Sequence, residues 1–120
     1  MQSFKEYIKE SEDEYYYHGT SKEAYKNIKK EGLKGSDSSP LYVSKNESGA
    51  AYYAGKGTDG KERGEGVVVR VHKSKINKTS PHREPSYLYV HHEVSPEHLE
   101  VGVDRGKNGI WSAKSWKKVR

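Results

Sequence analysis

A histidine followed directly by a glycine is the feature of this sequence with the clearest chemical potential. His18 and Gly19 stand at the end of residues 14–18 (EYYYH), an aromatic run that predicts a β-strand. Thr20 and the residues after it predict the start of a helix. A strand that ends in such a turn exposes the imidazole and lets a ligand approach the glycine backbone closely. We therefore take His18 and Gly19 as candidate site residues.

The other histidines do not form a metal-binding pattern. His91 and His92 are adjacent, so in a strand they would point to opposite faces. His72 and His82 stand alone among charged residues. The sequence has no H-E-x-x-H or H-x-H pair and no cysteine, so we predict no metal site. It also lacks the G-x-S-x-G motif that precedes a helix in many hydrolases, which argues against a Ser-His-Asp enzyme.

Two short helices and several strands are predicted to position His18. Two capping boxes, Thr20-Ser21-Lys22-Glu23 and Ser44-Lys45-Asn46-Glu47, predict the helix starts, and Gly32 and Gly55 predict the ends. Strands are predicted at residues 14–18, 41–43, 66–71 and 86–91. No helix is predicted between the later strands, so we expect an α+β fold with a mixed or antiparallel sheet. Residues 55–66 (GKGTDGKERGEG) predict a mobile loop and lack the pattern of a phosphate-binding loop.

Length and composition are those of one small domain. The chain has 120 residues, so we predict a single domain with a core at about residues 15–103 and a basic tail at residues 104–120. The net charge of +5 and the basic tail suit either an anionic partner or a solvated surface. Ten tyrosines make up most of the aromatic content, so we expect phenolic hydroxyls within much of the core. No apolar run reaches the ~18 residues of a membrane span, and the charged N-terminus lacks a signal peptide. We expect a monomeric, cytoplasmic protein without a membrane partner.

Several short motifs follow one another in an order typical of one enzyme superfamily. They are Tyr17-His18-Gly19-Thr20 with Ala24, Ile28 and Gly32-Leu33, then Leu41-Tyr42-Val43-Ser44, Ala50-Ala51-Tyr52-Tyr53, the strand at residues 66–71, and Val94-Ser95-Pro96-Glu97-His98-Leu99. Together they resemble the ADP-ribosyltransferase fold of the diphtheria-toxin and poly(ADP-ribose) polymerase type. The resemblance covers about residues 15–100. It implies a split mixed or antiparallel sheet with two short helices, and NAD⁺ as co-substrate.

The resemblance also implies a role for each matching residue. The backbone of Gly19 would bind the carboxamide of nicotinamide, and His18 would hydrogen-bond the adenosine ribose. Tyr53 and Tyr42 would sandwich the pyridinium ring, with cation–π attraction of about 0.5–2 kcal/mol. Thr20 completes the first motif among the residues expected to bind NAD⁺. Ala50 stands where many relatives have a serine that also contacts the carboxamide.

The catalytic carboxylate of the family pattern has no direct match in this chain. Relatives that build polymers have a glutamate at the start of the late strand, where it contacts the ribose and activates the acceptor. The register set by residues 94–99 puts Leu88, or at most Tyr87, at that position. Glu84 is the nearest acid upstream, and Pro85 would keep its backbone extended. Glu84 is therefore the candidate catalytic carboxylate.

The implied activity is mono-ADP-ribosyl transfer to a protein or nucleic-acid acceptor with release of nicotinamide. Two other functions remain open. The tRNA 2′-phosphotransferases share the fold, but they need a second histidine where this chain has Tyr42, and arginines for the RNA phosphate, for which Arg63 and Arg70 are available. A non-catalytic module that binds NAD⁺, ADP-ribose or nucleic acid would account for the missing glutamate and the basic tail.

Overall fold

The computed structural model describes residues 14–56, 66–103 and 112–120. Within these ranges the chain forms β1 (Tyr15–Ser21), α1 (Lys22–Glu31), β2 (Leu33–Lys34), β3 (Leu41–Ser44), α2 (Glu47–Lys56), β4 (Gly66–His72), β5 (Thr79–Pro81), β6 (Tyr87–Val90), β7 (Glu93–Val94), β8 (Leu99–Val103) and β9 (Ser115–Lys118). Short 3₁₀ turns at Lys73–Lys75 and Pro96–His98 precede β5 and β8. The predicted loop at residues 55–66 falls mainly on residues 57–65, which lie outside the described ranges.

The strands form one large sheet and one small sheet. The large sheet has seven strands in the order β5-β6-β3-β1-β4-β8-β9, and β2 pairs with β7 in the small one. Each pair of neighbouring strands is antiparallel. The predicted α+β class is thus confirmed, and the sheet is antiparallel rather than mixed. Within the described ranges, no helix combines the length and apolar character that crossing a bilayer requires.

Strand β4 is central because helices cover both faces of the sheet around it. Val68 and Val69 are adjacent in β4 and therefore point to opposite faces, and both are fully buried. Val69 packs in a cluster with Ile28 of α1, whereas Val68 packs with the alanines of α2. The strand predicted from the run of β-branched residues at 67–69 is confirmed, and the structure shows that it is buried on both faces.

Tyrosine contributes little to this core, contrary to the expectation from composition. Valine, leucine and alanine supply most of the buried apolar residues, and Tyr17 is the only tyrosine among those assigned to the core in the described ranges. The other tyrosines with described side chains are partly buried or exposed. Phenolic hydroxyls keep contact with water in this way, which avoids the cost of burying them without a partner.

Helix α1 begins one residue later than the sequence predicted. The N-cap is Ser21, whose Oγ accepts a hydrogen bond from the Ala24 N–H at 3.0 Å. Thr20 was the predicted cap, but β1 continues through Ser21, so Thr20 is still paired with β4. The predicted end at Gly32 is confirmed. Its φ of 79° suits glycine, and its N–H donates to the Ile28 carbonyl at 2.8 Å.

Helix α2 also has a different start from the predicted one. Asn46, not Ser44, accepts the hydrogen bond from the N–H of the first helical turn, at 2.8 Å from Gly49 N. Ser44 instead accepts a bond from Asn46 N–H at 3.1 Å and donates one to the Asn46 carbonyl at 2.6 Å. The helix also passes the predicted end at Gly55 and closes at Lys56.

The C-terminal segment belongs partly to the sheet. Strand β9 pairs with β8 through Gly102 and Trp116, among other residues. The predicted boundary of the core at about residue 103 is therefore wrong, because residues 115–118 of the predicted basic tail are an edge strand. Short, cation-rich strands give a weak sequence signal and are common at sheet edges. Residues 104–111 lie outside the described ranges.

The position of the α1 cap gives a stability prediction. Ser21→Ala should lower the free energy of unfolding by about 1 kcal/mol, because one N–H of the first turn loses its acceptor. Thr20→Val keeps the branched shape and removes only the hydroxyl, so it should change stability by less than about 0.5 kcal/mol. Urea denaturation measures both variants, and Ser21→Asp should restore the loss. A larger loss of unfolding free energy in Thr20→Val than in Ser21→Ala would show that Thr20 is the N-cap.

Candidate functional site

A small cleft lies where strands β1 and β3 separate. The two strands pair through Tyr17 and Ser44, and the cleft opens beside this pair with a volume of about 10 Å³. The residues predicted from sequence that line it are His18, Gly19, Tyr42, Ala50 and Tyr53. The lining also includes Tyr17 and Ser44, which belong to the motifs but were given no role in the site, and Tyr87, the second choice for the position of the family's glutamate. The structure therefore brings most of the predicted site residues together.

Gly19 and Ala50 form the contact between strand β1 and helix α2 at the cleft. A Cβ atom at Gly19 would overlap the backbone carbonyl of Ala50, so only glycine permits this close approach. Ala50 itself is 1% exposed. The glycine of the His-Gly pair is thus required by helix packing as well as being available to a ligand.

His18 bridges the gap between the separating strands. Its Nδ1 lies 3.1 Å from the backbone carbonyl oxygen of Tyr42, and a carbonyl only accepts, so Nδ1 carries the proton. Burial lowers the pKa of His18 below its usual 6.5, and the bond to Tyr42 opposes this only in part. The imidazole is therefore neutral at pH 7, and Nε2 is an acceptor. Nε2 has no hydrogen-bond partner among the described residues.

Three tyrosine rings form the aromatic wall of the cleft. The centroids of Tyr42 and Tyr53 are 5.7 Å apart with an interplanar angle of 74°. Tyr87 meets Tyr53 at 5.6 Å and Tyr42 at 6.2 Å, also edge to face. The predicted sandwich requires parallel rings, but Tyr42 and Tyr53 are not parallel. A planar ring can enter between them only after one ring rotates.

The phenols of Tyr42 and Tyr87 are neutral at physiological pH. Burial is the main cause that raises the pKa of Tyr42 and of Tyr87. The neighbouring rings raise the pKa of both further, since a second phenolate nearby would repel the first. The Tyr87 hydroxyl donates to the Gly49 carbonyl at 3.4 Å. Tyr42 and Tyr87 therefore present hydrogen-bond donors and aromatic edges, not negative charge.

Tyr87, and not Leu88, stands at the cleft at the start of β6. Tyr87 is the cross-strand partner of Ser44, so both project from the same face of the sheet as Tyr42. Leu88 is the next residue and points to the opposite face. The alternation of tyrosines at 87 and 89 was the sequence signal that could have identified Tyr87.

Glu84 and Thr20 do not line the cleft. Glu84 is exposed in the turn before β6, where its carbonyl accepts the Tyr87 N–H at 3.0 Å. Its charge still reaches the site, because it is one of the causes that raise the pKa of Tyr87. Thr20 lies further along β1, opposite Val67 of β4. Among the described lining residues there is no carboxylate.

The arginine considered for phosphate binding is already engaged. Arg70 Nε donates to Glu100 Oε1 at 2.8 Å, and the side chain of Arg70 is 19% exposed. Its guanidinium carbon lies 3.9 Å from the centre of the Tyr15 ring and 4.5 Å from that of Trp116. Arg63 lies outside the described ranges. Within them, no group of three or more histidine, aspartate or glutamate side chains is placed to hold a metal ion.

The buried His18 gives a pH prediction. Its folded pKa is below the unfolded value of about 6.5, so between the two values the unfolded chain binds more protons and stability rises with pH. The stabilisation is fully present above pH ~6.5 and is lost as the pH falls towards the folded pKa. NMR titration of the imidazole should give a midpoint below 6.5, with His18→Gln identifying the signal. A midpoint at or above 6.5 would contradict a buried, neutral imidazole.

Comparison with known proteins does not assign the chain to a family. No protein-family model matches the sequence, and no curated protein and no solved structure matches it either. The resemblance to ADP-ribosyltransferases therefore rests on the short motifs quoted above. The argument for a function depends on what the residues of the cleft can do chemically.

Proposed function

We propose that this chain is an NAD⁺-dependent mono-ADP-ribosyltransferase. The observation that carries the proposal is a neutral His18 beside Gly19 in an aromatic cleft, with Nε2 left as an acceptor. Ribose hydroxyls are donors that such a nitrogen can hold. The resemblance of the motifs at residues 17–20 and 41–53 to the superfamily points to the same ligand.

The cleft must widen before it can hold a ring of the dinucleotide. Its enclosed volume of about 10 Å³ is the space of about one water molecule, so rotation of Tyr42 or Tyr53 has to make room for the ring. Nicotinamide is the part that would be enclosed, and the remainder of NAD⁺ would extend over the adjoining surface. Bound there, NAD⁺ supplies a glycosidic bond whose cleavage releases nicotinamide.

Each cleft residue has a defined task in this proposal. The Gly19 backbone, which has no side chain in the way, binds the carboxamide. Tyr53 is partly buried and lies on helix α2, so rotation of its ring admits the pyridinium and places an aromatic face against it. Its attraction to a cationic ring is about 0.5–2 kcal/mol. His18 accepts a hydrogen bond from the ribose and fixes the sugar relative to the ring.

The lack of a carboxylate in the described lining limits what the enzyme can do. The polymer-forming enzymes of the superfamily use a glutamate to activate an acceptor hydroxyl, and the motif register gives Leu88 or Tyr87 at that position, of which Tyr87 lines the cleft. A neutral phenol does not remove a proton from an acceptor at pH 7. The proposal is therefore transfer of a single ADP-ribose to an acceptor group that is already ionised or strongly nucleophilic.

The same observation supports a second candidate function, a module that binds NAD⁺ or ADP-ribose without transfer. Such a module needs the ring-binding and ribose-binding groups, and it does not need a base. The two candidates make the same prediction for binding and opposite predictions for turnover. A 2′-phosphotransferase is less well supported, because Arg70 is held by Glu100 and two aromatic rings.

The binding prediction compares two adjacent tyrosines on helix α2. Tyr53→Ala should weaken NAD⁺ binding by about 1–3 kcal/mol, because the pyridinium loses its aromatic partner. Tyr52 is 53% exposed and does not line the cleft, so Tyr52→Ala should change the affinity much less. Isothermal calorimetry measures both, with circular dichroism as the check on folding. Equal NAD⁺ affinities for folded Tyr53→Ala and wild type would show that Tyr53 does not contribute to the binding site.

The transfer prediction uses labelled NAD⁺ incubated with separate protein, DNA and RNA fractions. Wild type should label one fraction, and His18→Ala should lower the rate at least about ten-fold, or roughly 1.4 kcal/mol of transition-state binding. Glu84→Gln should stay within about three-fold of wild type, because Glu84 lies outside the cleft lining. A ten-fold loss in Glu84→Gln would restore it as the catalytic carboxylate. NAD⁺ binding with no label in any fraction would favour the binding module.

A further inference from the structure

A serine, a histidine and an aspartate from three separate segments meet on the large sheet. Ser80 Oγ lies 2.6 Å from Nε2 of His91. Nδ1 of the same imidazole lies 3.5 Å from Oδ1 of Asp37. Ser80 is in β5, His91 follows β6, and Asp37 is in the connection between β2 and β3. The order of contacts is hydroxyl, imidazole and carboxylate.

The hairpin of β5 and β6 brings the serine and the histidine together. Ser80 is the cross-strand partner of Tyr89, and His91 is two residues beyond Tyr89. Since strand side chains alternate, all three project from one face. The His91 N–H also donates to the Lys78 carbonyl at 3.0 Å, which continues the ladder past the strand ends.

A compact turn fixes the aspartate near this pair. The Ser36 hydroxyl accepts the Ser39 N–H at 3.1 Å, and Ser36 N–H donates to the Ser39 carbonyl at 3.2 Å. Asp37 lies within this turn, and its Oδ2 accepts from Lys78 Nζ at 2.7 Å. Lys78, first by its hydrogen bond and charge, and His91 to a smaller degree lower the pKa of the Asp37 carboxyl. The carboxyl is therefore ionised.

The electrostatics favour one arrangement of the protons. Nδ1 of His91 is buried and has no hydrogen-bond partner in the described residues, yet it stands at ion-pair distance from a carboxylate. An N–H is the group that a neighbouring carboxylate favours at this position. With the proton on Nδ1, Nε2 is the acceptor and the Ser80 hydroxyl donates to it. A serine hydroxyl that donates to an imidazole nitrogen is placed to act as a nucleophile.

We propose that Ser80, His91 and Asp37 form a second site that hydrolyses esters. The sequence argued against a Ser-His-Asp enzyme because it has no G-x-S-x-G turn. The structure assembles the three groups in a different way, through a β-hairpin and a loop. The recurrence of such a set on unrelated folds depends on geometry and not on sequence order. The chemistry of this site does not use NAD⁺.

The only reactants of the hydrolysis are the ester and water. Ser80 Oγ attacks the ester carbonyl carbon as its proton moves to His91 Nε2. The carbon–oxygen bond to the alcohol then breaks, and the alcohol leaves with that proton, so an acyl-Ser80 ester remains. Water gives its proton to Nε2 and attacks the acyl carbon. The bond to Oγ breaks, the acid is released, and the proton returns to Ser80. Asp37 acts through His91 as a positioning residue.

The neighbouring rings identify the class of ester. Tyr89, directly across from Ser80, and His82 have ring centroids 4.8 Å apart. Tyr42 adjoins His82 at 5.8 Å. These rings are tilted by 42° and 49° to one another and form an aromatic wall beside the serine. An aromatic group can pack against such a wall, so the substrate class is an ester with an aromatic group. Aryl acetates meet this description and make a direct probe.

A fluorophosphonate probe with mass spectrometry tests the nucleophile directly. Ser80 should be modified at least ten-fold faster than Ser74, and 4-nitrophenyl acetate hydrolysis should fall at least ten-fold in Ser80→Ala. Ser74 is the matched control within the chain. Its hydroxyl lies 2.9 Å from His72 Nδ1, but that nitrogen also accepts the N–H of Ser74, which makes the contact a local cap. Equal modification of Ser80 and Ser74 would overturn the proposal.

Two further variants test whether Asp37 orients His91 for catalysis or only holds the loop in place. Asp37→Asn should slow the modification of Ser80 at least ten-fold, because the imidazole loses its orienting carboxylate. Lys78→Gln breaks the same ion pair from the other side and leaves the carboxylate facing His91, so it should not slow the reaction. Equal loss in the two variants would show that the ion pair only holds the loop. His91→Gln with wild-type modification of Ser80 would also overturn the proposal.

Discussion

Helix α2 approaches strand β1 so closely that there is no space for a side chain at Gly19. The alanines on the inner side of the helix make this approach possible, since Ala50, Ala51 and Ala54 are all buried against the sheet. A second glycine, Gly66 at the start of β4, meets the Ala54 carbonyl in the same way. The cleft depends on this packing, because it fixes Tyr53 and Ala50 on one side and the His18-Gly19 backbone on the other.

Where β1 and β3 separate, the side chain of His18 replaces a backbone hydrogen-bond donor. In a continuous ladder the Tyr42 carbonyl would accept a backbone N–H from the neighbouring strand. Here the imidazole of His18 donates to it at 3.1 Å. A buried carbonyl without a donor would cost about 1–3 kcal/mol. The same bond sets the tautomer, so the structural need and the chemical property of His18 have one origin.

The strands and helices were largely predictable because their patterns are local. The β-branched run at residues 67–69 and the glycine at 32 identify β4 and the end of α1 without any tertiary information. The N-cap of each helix was predicted at the wrong residue, because the residue at which a strand ends depends on its pairing with a neighbouring strand. Thr20 is extended only because β4 continues to pair with β1 up to Ser21. The edge strand β9 was missed because its own residues carry almost no apolar pattern.

The sites were predictable only in part, because they depend on which face a side chain occupies. The positions of His18, Tyr42 and Tyr53 follow from motifs within short segments, whereas Tyr87 enters the cleft through the register between β3 and β6. No local pattern relates Ser80 to Asp37, which comes from a distant connection in the chain. Their meeting at His91 is a product of the hairpin and of the turn at residues 36–39.

Strand β6 links the cleft to the second cluster. Its alternate residues Tyr87 and Tyr89 face the same side, so one contributes to the wall around Tyr53 and the other lies across from Ser80. Both rings also contact His82. The core, in contrast, is built mainly from valine, leucine and alanine. The protein thus separates two kinds of apolar residue: those without polar atoms fill the interior, and tyrosines form a partly open face where their hydroxyls can meet water or a ligand.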